Sequence, residues 1–330
     1  MTDHIMKKFI PLLSFIGLLI LGGCQKKINE FVPDSNSLNA PDTIWQTTIT
    51  SAMPVVSLKN DLRKQTVPDS FTYNNTGIVF NSGDLSLSIS PNTIITSTGT
   101  TPGGTINRES ILLQKKGDYI SQGMPTVSNG RLLISGGEFF LGLKNNNSEV
   151  TVTPGDSVTV KYGSTNIFTN TKVFNATGDI VTGFDWLPNT ELSHNRVNVT
   201  LSGYELIINR LQWVQPAYVF DTVGIPETVF SLKLPSNYTN ANTVAYISFN
   251  DMQCVADMKG SSGTKTFISG PLPIGRPVTI VVISKQAGDY YLGLEQTTTA
   301  LPSSGSGTQQ TVITPTKTSL AGIKSYLANL

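Results

Sequence analysis

Between Leu85 and Ser90 the chain alternates strictly, with Leu85, Leu87 and Ile89 apolar and Ser86, Ser88 and Ser90 polar. A period of two puts the apolar side chains on one face of a strand and the hydroxyls on the other. Pro91 has no N–H to give to a ladder and ends the run. Apolar segments of similar length follow at 111–113, 132–134, 139–141 and 158–160, and 55–58 (Val-Val-Ser-Leu) reads as an earlier strand. Asn129-Gly130 and Gly136-Gly137 punctuate them; Asn and Gly reach positive φ at little cost and so turn tightly. A second series occupies 197–199, 206–208, 229–234, 244–249, 278–283 and 290–294. Residues 278–283 (Val-Thr-Ile-Val-Val-Ile) are almost wholly apolar, which suits a central strand covered on both faces. Short strands at such regular spacing predict an all-β fold of two β-sandwich (Ig-like) domains.

The expected boundaries follow from where the strand signals lapse. The first sandwich spans 52–165. An interdomain linker spans 166–190 and contains Gly178, Gly183 and Pro188. The second sandwich spans 191–315. At 316–330 the period changes: Leu320, Ile323, Leu327 and Leu330 recur at helical spacing behind the candidate caps Thr318 and Ser319, predicting a short C-terminal helix.

The N-terminus carries a different message. Lys7 and Lys8 form a basic head, 9–21 is an apolar run, and Leu21-Gly22-Gly23-Cys24 closes it. That order is a secretory signal, and the run is shorter than the ~20 residues of a spanning helix. The closing tetrapeptide resembles the lipobox of bacterial lipoproteins. The resemblance implies that 1–23 is a signal peptide cut before Cys24, with acyl chains on the Cys24 sulfur and on the new amino group. Asp3 fits a basic head poorly, so Met6 is the better start. Residues 24–51 read as the lipidated Cys and a polar tether with Pro33 and Pro41. Gln25 is no acid and Lys26-Lys27 opens no acidic run. By analogy with lipoprotein sorting, that favours the outer membrane and its periplasmic side.

Charge and residue type narrow the function. Only 14% of residues are charged, against about 25% in an average soluble domain. The signal segment carries Lys7, Lys8 and Asp3, so the whole chain's net +1 becomes neutral on cleavage. A neutral chain offers no electrostatic case for nucleic acid. Cys254 has no second cysteine once Cys24 is acylated, so no intrachain disulfide forms; it reads as a small buried strand residue. His194 is the one histidine left after cleavage. That excludes a zinc site built from several His or Cys and leaves no good triad, since His194 sits in a polar turn. No phosphate loop or Asp-rich calcium loop occurs. Gly136-Gly137-Glu138-Phe139 lacks the second acid of a cyclase signature, and Glu138 reads as a strand-edge residue. Asp179, Asp185 and Glu191 read as solvated loop acids. Trp186, Trp213, Tyr218 and Phe220 read first as core, with stacking on sugars or on partner side chains as the functional alternative. Asp42-Thr43-Ile44, Asp156-Ser157-Val158 and Asp221-Thr222-Val223 resemble a bacterial O-glycosylation signal.

Several runs resemble a domain of outer-membrane lipoproteins of Bacteroidota-type bacteria. They are 87–93 (Leu-Ser-Ile-Ser-Pro-Asn-Thr), Lys116-Gly117-Asp118-Tyr119-Ile120, Gly123-Met124-Pro125-Thr126, the stretch 129–140, and 150–160. Asn209-Arg210-Leu211-Gln212-Trp213 and Tyr290-Tyr291-Leu292-Gly293-Leu294 extend the resemblance into the second half. That domain is distantly similar to the β-sandwich of ankyrins and netrin receptors, which implies an interaction or assembly role. Self-cleavage at His-Phe-Ser, known in some relatives, does not carry over, because Asn195 follows His194.

The sequence therefore predicts a membrane-anchored envelope lipoprotein with a non-enzymatic binding or assembly role, partnered by a glycan or an envelope protein. No catalytic, cofactor or metal residue is assigned. The alternatives are a glycan-active hydrolase using a carboxylate pair, and a structural subunit of an envelope complex. Two or more acyl chains hold a protein firmly on a bilayer while one does not. Cys24→Ser is therefore expected to shift the protein from the membrane pellet to the soluble fraction, and retention in the pellet would refute the anchor.

Overall fold

The expected strand series forms as antiparallel ladders, with one parallel exception. The structure is a computed structural model that describes residues 43–302 and 307–330. Cys24, the signal peptide and the tether as far as residue 42 lie outside the described residues. The chain opens with α1 (Pro54–Leu62), β1 (Val67–Tyr73), β2 (Ile78–Ser82), β3 (Leu85–Ile89), β4 (Ile94–Thr96), β5 (Gly104–Leu113) and α2 (Lys116–Gln122). It continues with β6 (Val127–Ser128), β7 (Arg131–Ser135), β8 (Glu138–Asn145), β9 (Ser148–Val152) and β10 (Val158–Gly163). Then come β11 (Lys172–Asp179), β12 (Gly183–Pro188), β13 (Arg196–Thr200), β14 (Gly203–Ile208) and β15 (Trp213–Val219). The last stretch holds β16 (Glu227–Lys233), β17 (Thr243–Phe249), β18 (Val255–Ser261), β19 (Thr266–Ser269), β20 (Leu272–Pro273), β21 (Pro277–Gln286), β22 (Asp289–Thr298), β23 (Thr308–Val312), β24 (Thr316–Thr318) and α3 (Leu320–Ala328).

Three sheets result. The first, of ten strands, runs β1-β5-β8-β15-β11-β12, with β4, β6, β7 and β9 attached beside that path. The second runs β13-β14-β10-β3-β2. The third, of nine strands, runs β20-β16-β19-β18-β17-β21-β22-β24, and β23 pairs with β16 in parallel. The alternation in β3 does what its period requires: Leu85, Leu87 and Ile89 are buried against Phe139, Leu141 and Leu143 of β8, making the sandwich core between the first two sheets. Central β21 is buried on both faces, from Val278 to Ser284.

The all-β class holds, but several boundaries differ. Residues 55–58 are helical, in α1. Pro54 starts the helix, where a missing N–H costs nothing, and Val55, Leu58 and Leu62 fall on one buried face. Residues 166–190 are not a bare linker, because β11 and β12 within them extend the first sheet, pairing Ala176 with Trp186. Glycine and proline mark the hairpin's ends, and its apolar positions are too few to announce it. β13 pairs with β14 and β14 with β10, while β15 pairs with β7 and β8. The strands between 191 and 219 thus complete the first pair of sheets instead of opening a second domain. The described residues from 43 onward cluster as one compact unit. The described end of the expected tether is docked: Gln46 N donates to Asn240 Oδ1 (2.8 Å), Asn240 Nδ2 donates to the Gln46 carbonyl (2.7 Å), and Trp45 lies 5.1 Å from Phe267. At the other end 316–318 is strand β24, and the helix begins at Leu320 with the Ser319 side chain capping Gly322 N.

The three helices of the described residues pack with both the first and the third sheet. Val56 and Leu58 of α1, Tyr119 and Ile120 of α2, and Ile323 and Leu327 of α3 share one apolar cluster with Ile111, Leu113, Tyr246 and Ile283. Each such side chain stabilises the docking by about 1.5–3 kcal/mol when fully buried. The fit between α2 and α3 is close: a Cβ on Gly117 would sit 1.8 Å from the Leu327 carbonyl oxygen. Gly117→Ala is expected to force α3 off α2 and to cost about 1–3 kcal/mol. An unchanged melting temperature, with α3 amides still protected from exchange, would refute this packing.

Candidate functional site

The aromatic residues flagged in the sequence separate in the fold. Trp186 is fully buried, its indole Nε1 donating to the Pro125 carbonyl at 3.0 Å. Trp213 packs against Phe140 at 5.6 Å between ring centres. Tyr218 and Phe220 instead line a cleft of about 450 Å³. They share it with Phe168, Lys116, Asn166, Asn250, Asp251, Gln253 and Arg276.

Local chemistry builds this cleft. Strand β15 delivers Tyr218 opposite Ile134 of β7. The loop before β11 delivers Phe168, which meets Tyr218 edge-on at 5.9 Å. That loop is pinned by the Tyr204 hydroxyl, which accepts from Phe168 N (2.7 Å) and donates to the Asn166 carbonyl (2.9 Å). The turn between β17 and β18 supplies 250–253, and Ser135 N holds it through the Gln253 carbonyl at 3.1 Å. Arg276 Nη1 binds Asp251 Oδ2 at 2.9 Å, and the guanidinium lies 5.2 Å over the Phe220 ring. Lys116 Nζ donates to the Phe249 carbonyl at 2.5 Å. Burial pulls the Lys116 ammonium below its ordinary value, and nearby Asp251 partly restores it. Burial raises the Tyr218 phenol, so it stays a neutral hydroxyl. The result is an aromatic wall facing amides and charged groups, an arrangement suited to a ligand with both C–H and hydroxyl faces.

A second cleft of about 580 Å³ lies between the β11–β12 hairpin and β18, lined by Phe184, Asp185, Asp257, Lys259 and glycines including Gly130 and Gly183. Asp185 lies on β12 and accepts from Asn129 N (3.2 Å) and Trp186 N (2.9 Å), so it is not the solvated loop acid expected. Burial raises the Asp257 carboxyl; Lys259 opposes that, and Asp185 adds to it. Asp179 holds the tight turn after β11, accepting from Val181 N (2.8 Å) and Thr182 N (2.7 Å). Glu191 pairs with Asn209 and stands outside both clefts.

Glu138 also departs from expectation. It is fully buried at the start of β8, not a strand-edge group. The ladder sets it opposite Leu113 on one side, and the register of Val214 with Phe139 sets Gln215 beside it on the other. Neither carboxyl oxygen of Glu138, nor either amide atom of Gln215, has a hydrogen-bond partner among the described residues. Burial raises the Glu138 carboxyl well above its ordinary 4.5, with Asp118 adding to the effect. No period or motif marks this position; a polar residue between two glycines and two phenylalanines was its only signal. Cys254 is fully buried, its thiol pushed up to about 12 by burial, which removes it as a nucleophile. His194 sits in the turn before β13 and lines neither cleft. Among the described residues no group of three or more His, Cys, Asp or Glu comes together around a metal position.

No family model, curated protein or solved structure matches the chain.

A carboxyl raised by folding holds its proton better in the folded chain. The contribution of Glu138 to stability is then greatest below about pH 4.5 and declines as pH rises toward the folded value. Glu138→Gln is expected to melt higher than the parent at pH 8, with the difference closing near pH 4. Parallel melting curves across that range would refute a protonated Glu138.

Proposed function

We propose that this chain is a lipid-anchored protein of the bacterial cell envelope that binds saccharide without turning it over. The observation that carries the reading is the cleft in which Phe168, Tyr218 and Phe220 face Asn166, Asn250, Gln253 and the Arg276–Asp251 pair. Aromatic faces take the C–H face of a pyranose, and amides and the ion pair take its hydroxyls. The Cys24 motif supports the reading, because an envelope anchor would hold the protein among envelope glycans. Resemblance to interaction modules in lipoproteins points the same way. The outer membrane, periplasmic side, is the proposed location.

A hydrolase is the second reading, favoured by the Asp257 and Asp185 carboxyls lining the 580 Å³ cleft. One partly buried acid whose carboxyl is raised and one hydrogen-bonded carboxylate are the two roles that glycoside hydrolysis needs.

Titration of the full chain in detergent with envelope oligosaccharides tests the first reading and separates it from the second. Binding without release of reducing ends is expected. Tyr218→Ala or Phe220→Ala should weaken it by about 5–10-fold, on the order of 1 kcal/mol. Binding untouched by either substitution would remove the cleft from the reading. Reducing ends that appear with the parent and vanish with Asp257→Asn would replace it with the hydrolase.

A further inference from the structure

We infer that the aromatic cleft selects a carboxylate-bearing pyranose, a hexuronic acid unit, over neutral sugars. The inference rests on the proposed saccharide reading and deepens it. The charged side chains lining the cleft are Lys116, Arg276 and Asp251, two cations against one acid. The acid does not consume both cations. Arg276 makes a single side-chain hydrogen bond among the described residues, from Nη1 to Asp251 Oδ2 at 2.9 Å. Its side chain is 33% exposed, so the other guanidinium N–H groups face the cleft or solvent. A guanidinium presents its donors as a planar fork that matches a carboxylate two bonds at a time. Phe220 fixes that fork: the guanidinium carbon stands 5.2 Å from the ring centre, so little side-chain freedom remains to be lost on binding.

Neighbouring groups determine what carries the carboxylate. Phe168, Tyr218 and Phe220 offer ring faces and edges within the same 450 Å³. That volume suits one to three sugar rings better than a folded partner. Lys116 has one of its three donors committed, to the Phe249 carbonyl. Asp251 is engaged through Oδ2, so its Oδ1 serves as an acceptor for a ring hydroxyl while Arg276 stays in place. A phosphoserine or phosphothreonine group would use the cations but leave the aromatic wall without a ring to stack on. A neutral sugar would use the wall but leave the cleft's one surplus positive charge without a counter-charge.

The test is calorimetric titration of the full chain in detergent with a galacturonic acid trimer and with a glucose trimer of equal length. The acidic trimer is expected to bind at least about tenfold more tightly at low salt, and its advantage to shrink as ionic strength rises. Arg276→Gln should bring the two affinities together. Asp251→Asn should tighten the acidic trimer, because it removes the competing anion. Phe220→Leu should weaken both trimers. Thermal melting of each variant shows whether it is folded, and Asp251→Asn keeps the test intact should Arg276→Gln unfold. Equal affinity for the two trimers, lost in Phe220→Leu, would overturn the acidic preference and leave saccharide binding standing. Weaker binding of the acidic trimer by Asp251→Asn would also overturn the preference. Binding of neither trimer would overturn both readings.

Discussion

From Leu132 to Ser135, strand β7 has no face left for water. Leu132 and Ile134 enter the core of the nine-stranded sheet, while Leu133 packs with Phe174, Trp186 and Ala217 of the ten-stranded sheet. Alternation along one five-residue strand therefore joins the two halves of the molecule. A slip of one residue would exchange the two sets of side chains, so the register is held from both sides. The ladder to β15 fixes it further, pairing Ile134 with Tyr218 and Ser135 with Ala217. The aromatic cleft inherits that precision. Tyr218 and Ile134 are two of its walls, and the turn that presents Asp251 hangs from Ser135 N.

The same junction explains where polar groups are tolerated in a chain so poor in charge. Helix α2 covers the first sheet and carries Asp118, which accepts from Gln114 N and Lys115 N and pairs with Lys64 at 2.5 Å. Below it, Tyr119 and Ser135 share a 3.4 Å contact, and Gln253 reaches the Tyr119 hydroxyl at 3.3 Å from the cleft side. Glu138 and Gln215 lie on the sheet beneath the helix with no such partners. Burying unsatisfied polar groups costs about 1–3 kcal/mol each. Apolar packing of the three helices offsets that cost. The polar layer between sheet and helix ends at Gln253, which is also a wall of the cleft.

What could be read from the chain depended on whether the signal was local. The alternation of 85–90, the apolar run 278–283 and the Ser319 cap each follow from near neighbours, and each is found where expected. Residues 55–58 gave no such guidance, because four residues fit either period; Leu62 and the docking surface on β21 select the helix. The hairpin 172–188 was hidden for the opposite reason. Trp186 and Phe174 are apolar, but the glycines at its turn outweigh them in any local count. Of the candidate site, Tyr218 and Phe220 were visible as aromatics, whereas Phe168, Arg276 and Asp251 were not. They lie far apart in the chain, and no spacing rule links them.

The sequence by itself determined the strand class and the helical C-terminus, because each is written in consecutive residues. Tertiary structure decided which strands share a sheet, and hence that 191–219 completes the first pair of sheets. It also decided that Glu138 is sealed while Tyr218 stays open to a cleft. The physical reason is common to both. Burial and sheet partnership depend on what arrives from distant parts of the chain, and a residue's identity records its preference for a neighbour without recording which neighbour comes.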